Sequence, residues 1–202
     1  MVQRLQPRSL LIGRRSSLAL GIWTLVIVVM LAASPAGAQE LLTNGDFEAG
    51  TFTGWTVFDQ VGGAGSFYIA APGANTPISG FPTLGGPANG AFYAVSDTTG
   101  PGAHALIQAF TVPVNPGSVT LTFDMFVNNL GGGAPVVDPA GLDYTATPNQ
   151  HARVDILTAA ATPLDTGAGV IANLYIGADA GPAPDPFSSY SIDITPFVGA
   201  GG

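Results

Sequence analysis

Asp46 and Glu48 stand two residues apart in the stretch Asn44-Gly45-Asp46-Phe47-Glu48-Ala49-Gly50-Thr51-Phe52-Thr53-Gly54-Trp55. In an extended segment, side chains at that spacing share one face. Two carboxylates on one face, flanked by glycine turns that expose carbonyls, suit Ca²⁺, which takes roughly six to eight hard oxygen ligands. Asp46 and Glu48 are therefore candidate ligands of a structural Ca²⁺ that pins the first strand to the domain. The plainer reading is a strand, a turn and a second strand with two solvated acids. No Asp-x-Asp-x-Asp-Gly loop occurs, which excludes an EF-hand.

A second group of residues suits sugar recognition, which needs aromatic platforms and planar polar groups on a rigid face. Residues Val119–Asn128 alternate: Val119, Leu121, Phe123, Met125 and Val127 fall on one side, Thr120, Thr122, Asp124, Phe126 and Asn128 on the other. Residues Gln150–Thr158 alternate too, with Ala152, Val154 and Ile156 inward and His151, Arg153 and Asp155 outward. Asp124, Phe126, Asn128, Arg153 and Asp155 are thus the candidate ligand-binding residues, Phe126 as the stacking ring. The competing reading pairs Arg153 with Asp155, Asp124 or another acid to neutralise a crowded face. Trp55 is read as core; Tyr68, Phe81 and Tyr144, in or near long loops, are weaker platform candidates.

Catalytic patterns are missing. His104 and His151 each begin an expected strand, and neither has the His-Glu-x-x-His spacing of a zinc site. No Gly-x-Ser-x-Gly elbow and no phosphate-binding Gly-x-x-x-x-Gly-Lys loop occurs. The expectation is a protein without enzymatic activity.

These residues need elements to hold them. The 202 residues suit one domain of ordinary size, and 47% hydrophobic content supplies a core despite 28 Gly and 17 Pro. The first 38 residues read as an export signal: four Arg, the apolar run Leu18–Ala33, then Ala36-Gly37-Ala38 as a cleavage site before Gln39. The Arg14-Arg15 pair leaves Sec and twin-arginine export both open. An uncleaved N-terminal anchor is the structural alternative. After residue 38 the chain holds one Arg, no Lys and all 13 acids, a formal charge of −12. Such a surface repels nucleic acid and anionic lipid. Membrane association is therefore expected only through the signal segment or a C-terminal anchor. Without Cys there are no disulfides.

From Gln39 onward no amphipathic helix is expected. Strands are expected at Leu41–Asn44, Trp55–Asp59, Ser66–Ala70, Ala91–Ser96, Ala105–Val112, Val119–Asn128, Gln150–Thr158, Val170–Ile176 and Ser189–Thr195. Gly- and Pro-rich stretches at Pro72–Asn89, Leu130–Asn149 and Gly177–Pro186 read as loops. Many short strands of this kind predict an all-β, antiparallel sandwich.

The opening motif, with Ala91-Phe92-Tyr93-Ala94-Val95-Ser96, Gln108-Ala109-Phe110, strand 119–128 and Tyr190-Ser191-Ile192-Asp193-Ile194-Thr195, resembles galactose-binding-like β-jelly rolls. These include calcium-binding carbohydrate-binding modules of secreted bacterial glycosidases. The chain looks still closer to exported bacterial proteins that often carry a Pro-Glu-Pro C-terminal sorting signal. The resemblance implies a jelly roll over about residues 41–202, with Glu48 at the family's calcium position. The Asp near the C-terminus that commonly joins it, the final strands and the sorting signal have no counterpart here. The chain therefore reads as a domain lacking its last strand or strands. Together these readings predict a carbohydrate-binding or cell-surface adhesion module with Ca²⁺ as support and a glycan or surface polysaccharide as partner. The alternative is a structural extracellular-matrix or surface component without a discrete ligand site.

Overall fold

The alternation of apolar and polar residues becomes eight short strands in the computed structural model, which describes residues 38–83, 86, 90–128, 141–145, 151–177 and 184–198. The expected export signal falls outside the described residues, Ala38 excepted, as do most of loop 130–149 and residues 178–183 of the loop that follows 177. The strands are β1 (Thr56–Asp59), β2 (Ser66–Ala70), β3 (Tyr93–Asp97), β4 (His104–Ile107), β5 (Thr120–Met125), β6 (Ala152–Leu157), β7 (Val170–Gly177) and β8 (Ser188–Asp193). The only helix among the described residues is α1 (Thr195–Val198).

The strands pair antiparallel as β1–β4, β2–β3, β5–β8 and β6–β7. Register follows the apolar pattern, because a slip of one residue would turn every inward side chain to water. Thus Leu121 lies opposite Ile192 and Phe123 opposite Tyr190. In β6–β7 the register shifts between Val154 and Asp155 and between Ile156 and Leu157.

Val119, Ile156, Ile194 and Val198 are buried together, with Leu121, Ile192, Ala172 and Leu174 packed against them. One core is therefore shared by the β5–β8 and β6–β7 pairs and by α1. A second cluster, Ala70, Tyr93 and Val95, gathers Tyr68, Phe126 and Phe187. Truncating Ile194, the most buried of these at 2% exposure, removes contacts worth about 2–4 kcal/mol.

Three departures from the expected elements have local causes. The segment expected as strand 41–44 is a bend, held by the Gln108 amide: Thr43 N donates to Gln108 Oε1 (2.5 Å) and Gln108 Nε2 donates to Thr43 O (2.9 Å). That engagement takes the place of a backbone ladder, and β4 ends at Ile107. Strand β5 stops at Met125 because its partner begins at Ser188, two residues after Pro186, which has no amide to extend the ladder. The expected strand through Thr195 gives way to α1. The Asp193 carboxylate accepts the Thr195 amide (2.9 Å), and Pro196 brings a φ already suited to a first helical turn.

Candidate functional site

The opening motif is organised by Asn44. Its Nδ2 donates to the carbonyls of Thr51 (2.8 Å) and Thr53 (3.4 Å), and its Oδ1 accepts the Ala49 amide (3.0 Å). Its own carbonyl accepts the Trp55 indole N–H (3.0 Å) and the Phe47 amide (3.2 Å). Asn44 sits at φ 51°, a left-handed conformation that Asn tolerates better than most residues. Phe47 packs 5.4 Å from Trp55 and edge-on to Phe52 at 6.3 Å. Trp55 is thus half-buried inside the motif.

This geometry corrects the expectation that Asp46 and Glu48 share a face of an extended segment. Phe47, between them, has φ 61°, so the segment turns. Asp46 Oδ1 accepts the Glu48 amide (3.2 Å), and Glu48 Oε1 reaches across to accept the amides of Ala91 (2.8 Å) and Phe92 (3.0 Å). Gly90, at φ 109°, has no Cβ because one there would strike Glu48 Oε1. Glu48 therefore pins the opening motif to the chain entering β3. As placed, Asp46 Oδ1 and Glu48 Oε1 fit a hydrogen-bonded pin. A cation shell there would draw on the other oxygen of each and on backbone carbonyls. Among the described residues no three of His, Cys, Asp and Glu gather as a metal cluster.

The five residues expected to bind ligand divide into two groups. Arg153 donates from Nε to Asp155 Oδ2 (2.8 Å) and from Nη2 to Asp155 Oδ1 (3.0 Å), a bidentate pair with side chains only 7% and 11% exposed. Asn173 Nδ2 also donates to Asp155 Oδ1 (2.7 Å). The neutralising reading of this pair is the one the geometry follows, because two adjacent outward positions on β6 place the fork against the carboxylate. The second group lies at the end of β5. Asp124 accepts from Ser189 Oγ (2.5 Å), and Asn128 Oδ1 accepts the Asp185 amide (2.7 Å). Phe126, expected on the polar face, turns instead to Tyr93 (6.2 Å) and Phe187 (4.8 Å), both edge-on. No interaction among the described residues joins the two groups.

Phe126 nevertheless borders an open groove of about 340 Å³, lined also by Met125, Val127, Tyr175, Asp185, Pro186, Ser188 and Tyr190. Phe123 stacks on Tyr190 at 4.8 Å and 14°, and Tyr175 meets Tyr190 edge-on at 5.4 Å. Burial pushes the Tyr175 hydroxyl above its ordinary value of 10, and the neighbouring Tyr190 adds to the shift through its charge and hydrogen bond. Sequence reasoning passed over Tyr175, Asp185 and Tyr190 as site residues. Tyr190 is visible in the sequence only as a position of the strand expected at 189–195, and nothing local signals that Tyr175 on β7 meets it.

A second feature is the lobe of residues 74–83. Asp97, buried at the end of β3, accepts the amides of Ile78 (2.6 Å) and Ser79 (2.9 Å) and the Ser79 hydroxyl (2.6 Å). Burial alone would raise its carboxyl pKa, but these donors and the Thr76 hydroxyl outweigh it and hold it below 3.8. Thr83 and Tyr93 close the base through their hydroxyls. The lobe presents Ile78 and Phe81, each 41% exposed. Phe81 is thus the exposed member of the weaker platform candidates. Tyr68 packs on the second core cluster, and the Tyr144 hydroxyl donates to Val61 O (3.2 Å).

His104 begins β4 as expected. Its Nδ1 meets Asp59 Oδ1 at 2.8 Å, and its side chain is only 5% exposed. Comparison with known protein families, with curated proteins and with solved structures finds no match.

Proposed function

We propose that this chain is an exported, non-catalytic carbohydrate-binding or cell-surface adhesion module, built as an antiparallel β-sandwich of jelly-roll type. The observation that carries the reading is the open groove at the joint ends of β5 and β8. There Tyr175, Tyr190, Phe126 and Asp185 line one opening. Ring faces match the apolar C–H faces of a sugar, while tyrosine hydroxyls, Ser188 and Asp185 match its hydroxyls. The volume of about 340 Å³ lies at the small end of ligand sites and suits one or two sugar rings. The shared core of the two strand pairs supports the sandwich. The apolar run before Gln39 supports export. The non-catalytic reading draws on His104, whose ring is buried against Asp59 and closed to a substrate.

A structural role without a ligand site is the second reading. It is favoured by the internal bonds of Asp124, Asn128, Arg153 and Asp155. A glycan array with the purified protein, followed by calorimetry, separates the two. Binding that weakens at least tenfold in Tyr190→Ala while the melting curve stays cooperative supports the groove. An array with no glycan above background refutes it and leaves the structural role.

A further inference from the structure

We infer that Asn44 is a deamidation site that the folded motif keeps shut, so that opening of residues 44–55 leaves a permanent chemical mark there. The sequence holds two Asn-Gly pairs, 44–45 and 89–90, and Asn89 lies outside the described residues. Asn before Gly is the pair in which ring closure meets least hindrance, because Gly has no Cβ beside its amide and the freest backbone. The Gly45 backbone nitrogen attacks Asn44 Cγ; a new C–N bond forms and the bond from Cγ to Nδ2 breaks. The Gly45 amide proton departs with that amino group as ammonia. Water from the solvent then opens the cyclic imide at either carbonyl, giving aspartate or isoaspartate in place of Asn44.

The folded chain blocks the first step. Ring closure needs the Asn44 carboxamide to turn its carbon onto the next residue's nitrogen. That carboxamide is held at both ends: Nδ2 donates to Thr51 O (2.8 Å) and Thr53 O (3.4 Å), and Oδ1 accepts the Ala49 amide (3.0 Å). The Trp55 indole N–H holds the Asn44 carbonyl at 3.0 Å and so restrains the peptide that carries the Gly45 nitrogen. The loop closes without slack, since a Cβ on Gly54 would lie 2.9 Å from Thr43 Cβ. The products cannot restore this closure. Aspartate has no amino group for the Thr51 and Thr53 carbonyls and sets a carboxylate against them. Isoaspartate also adds a carbon to the main chain. A motif that stays open long enough to react therefore does not re-form, whatever the groove binds.

The test compares the rate of modification in the whole protein with that in the free peptide Leu41–Glu48, in the same mildly alkaline buffer. A glutamate-specific protease releases this segment from the protein, because Glu40 and Glu48 bound it, and Asn44 is its only Asn. Mass spectrometry then reads the exchange of NH₂ for OH. The native protein is expected to react at least roughly tenfold more slowly than the peptide, because the loop must open before the ring can close. Urea beyond the unfolding midpoint should bring the protein to the peptide's rate in the same urea. Gly45→Ala, whose methyl would sit 3.4 Å from Leu42 Cβ, should slow the reaction of the unfolded chain several-fold, as a route through that nitrogen requires. Asn44→Asp should melt several degrees below the native protein. Equal rates in native protein and peptide overturn the lock, and an unreactive peptide overturns the site. Asn44→Asp melting with the native protein overturns the permanence of the mark. The rate comparison needs no variant, so it stands if either substitution folds poorly.

Discussion

Replacing Asp97 by Ala tests whether one buried carboxylate holds the 74–83 lobe. The substitution strands two amides and one hydroxyl that now sit 2.6–2.9 Å from carboxylate oxygens. A buried donor left unpaired costs about 1–3 kcal/mol. Ile78 lies near the surface, so water recovers part of this, and the sum comes to about 3 kcal/mol. Asp97→Asn has the same shape. Its remaining oxygen still accepts both amides, and its NH₂ faces the Ser79 hydroxyl, which can turn to accept; only the charge assistance is lost, about 1 kcal/mol. Urea unfolding at neutral pH reads the difference. With a slope of about 2 kcal/mol per molar, Asp97→Ala lowers the midpoint by about 1.5 M and Asp97→Asn by about 0.5 M. The pH dependence has a definite sign. The folded carboxyl titrates below 3.8, so the unfolded chain takes up its proton first on acidification. The contribution of Asp97 is complete above that value and is lost as pH falls through the lower, folded one. Equal midpoints for the native protein and Asp97→Ala, or equal losses for the two variants, would refute the reasoning.

Three further outcomes follow from the same geometry. Glu48→Ala loses both amide bonds and about 1 kcal/mol, whereas Glu48→Gln keeps an acceptor and loses less than half of that; a calcium-induced rise in melting temperature that vanishes in Glu48→Gln would support the metal reading. In an alkaline absorbance titration Tyr175 ionises above 10, and Tyr190→Phe brings it closer to 10. Because its folded value is the higher one, its contribution to stability is full below 10 and is lost as pH rises through the folded value; unchanged titration in Tyr190→Phe contradicts the coupling. Trypsin should leave the native domain uncut after residue 38, since Arg153 is 7% exposed and bound to Asp155, and should cut once past the urea midpoint. Rapid native cleavage at Arg153 would show that the pair opens.

The positions of the eight strands were legible because their signal is local. Period-two alternation in 119–128 and 150–158 is a property of consecutive residues, and the cores form from the inward sets it names. The partners of outward residues were less legible. The Arg153–Asp155 pair lies within one strand and was foreseen as an alternative. The turn of Phe126 toward Phe187 depends on a segment some sixty residues away, which no spacing records. Asn44 reads in the sequence as the end of strand 41–44, yet its role comes from carbonyls at 51 and 53 that converge only once the loop closes. The groove escaped for the same reason: Tyr175 and Asp185 come from β7 and from the run into β8, and only the folded chain brings them to β5.

The junction between Thr43 and Gln108 has a mechanical consequence. The chain enters the domain tied by one side-chain amide, where a strand would be tied by a ladder of backbone bonds. Tension applied from the N-terminal side loads that amide and the Leu41 side chain on the core first, so the entering segment peels away at lower force than a paired strand. The pull then reaches the closed loop of Asn44, where the bonds to Ala49, Thr51 and Trp55 share the load. The domain thus has a yielding entry segment followed by a resistant knot, so a pull from the N-terminal side is taken up at residues 41–43 before it reaches the groove near β5 and β8.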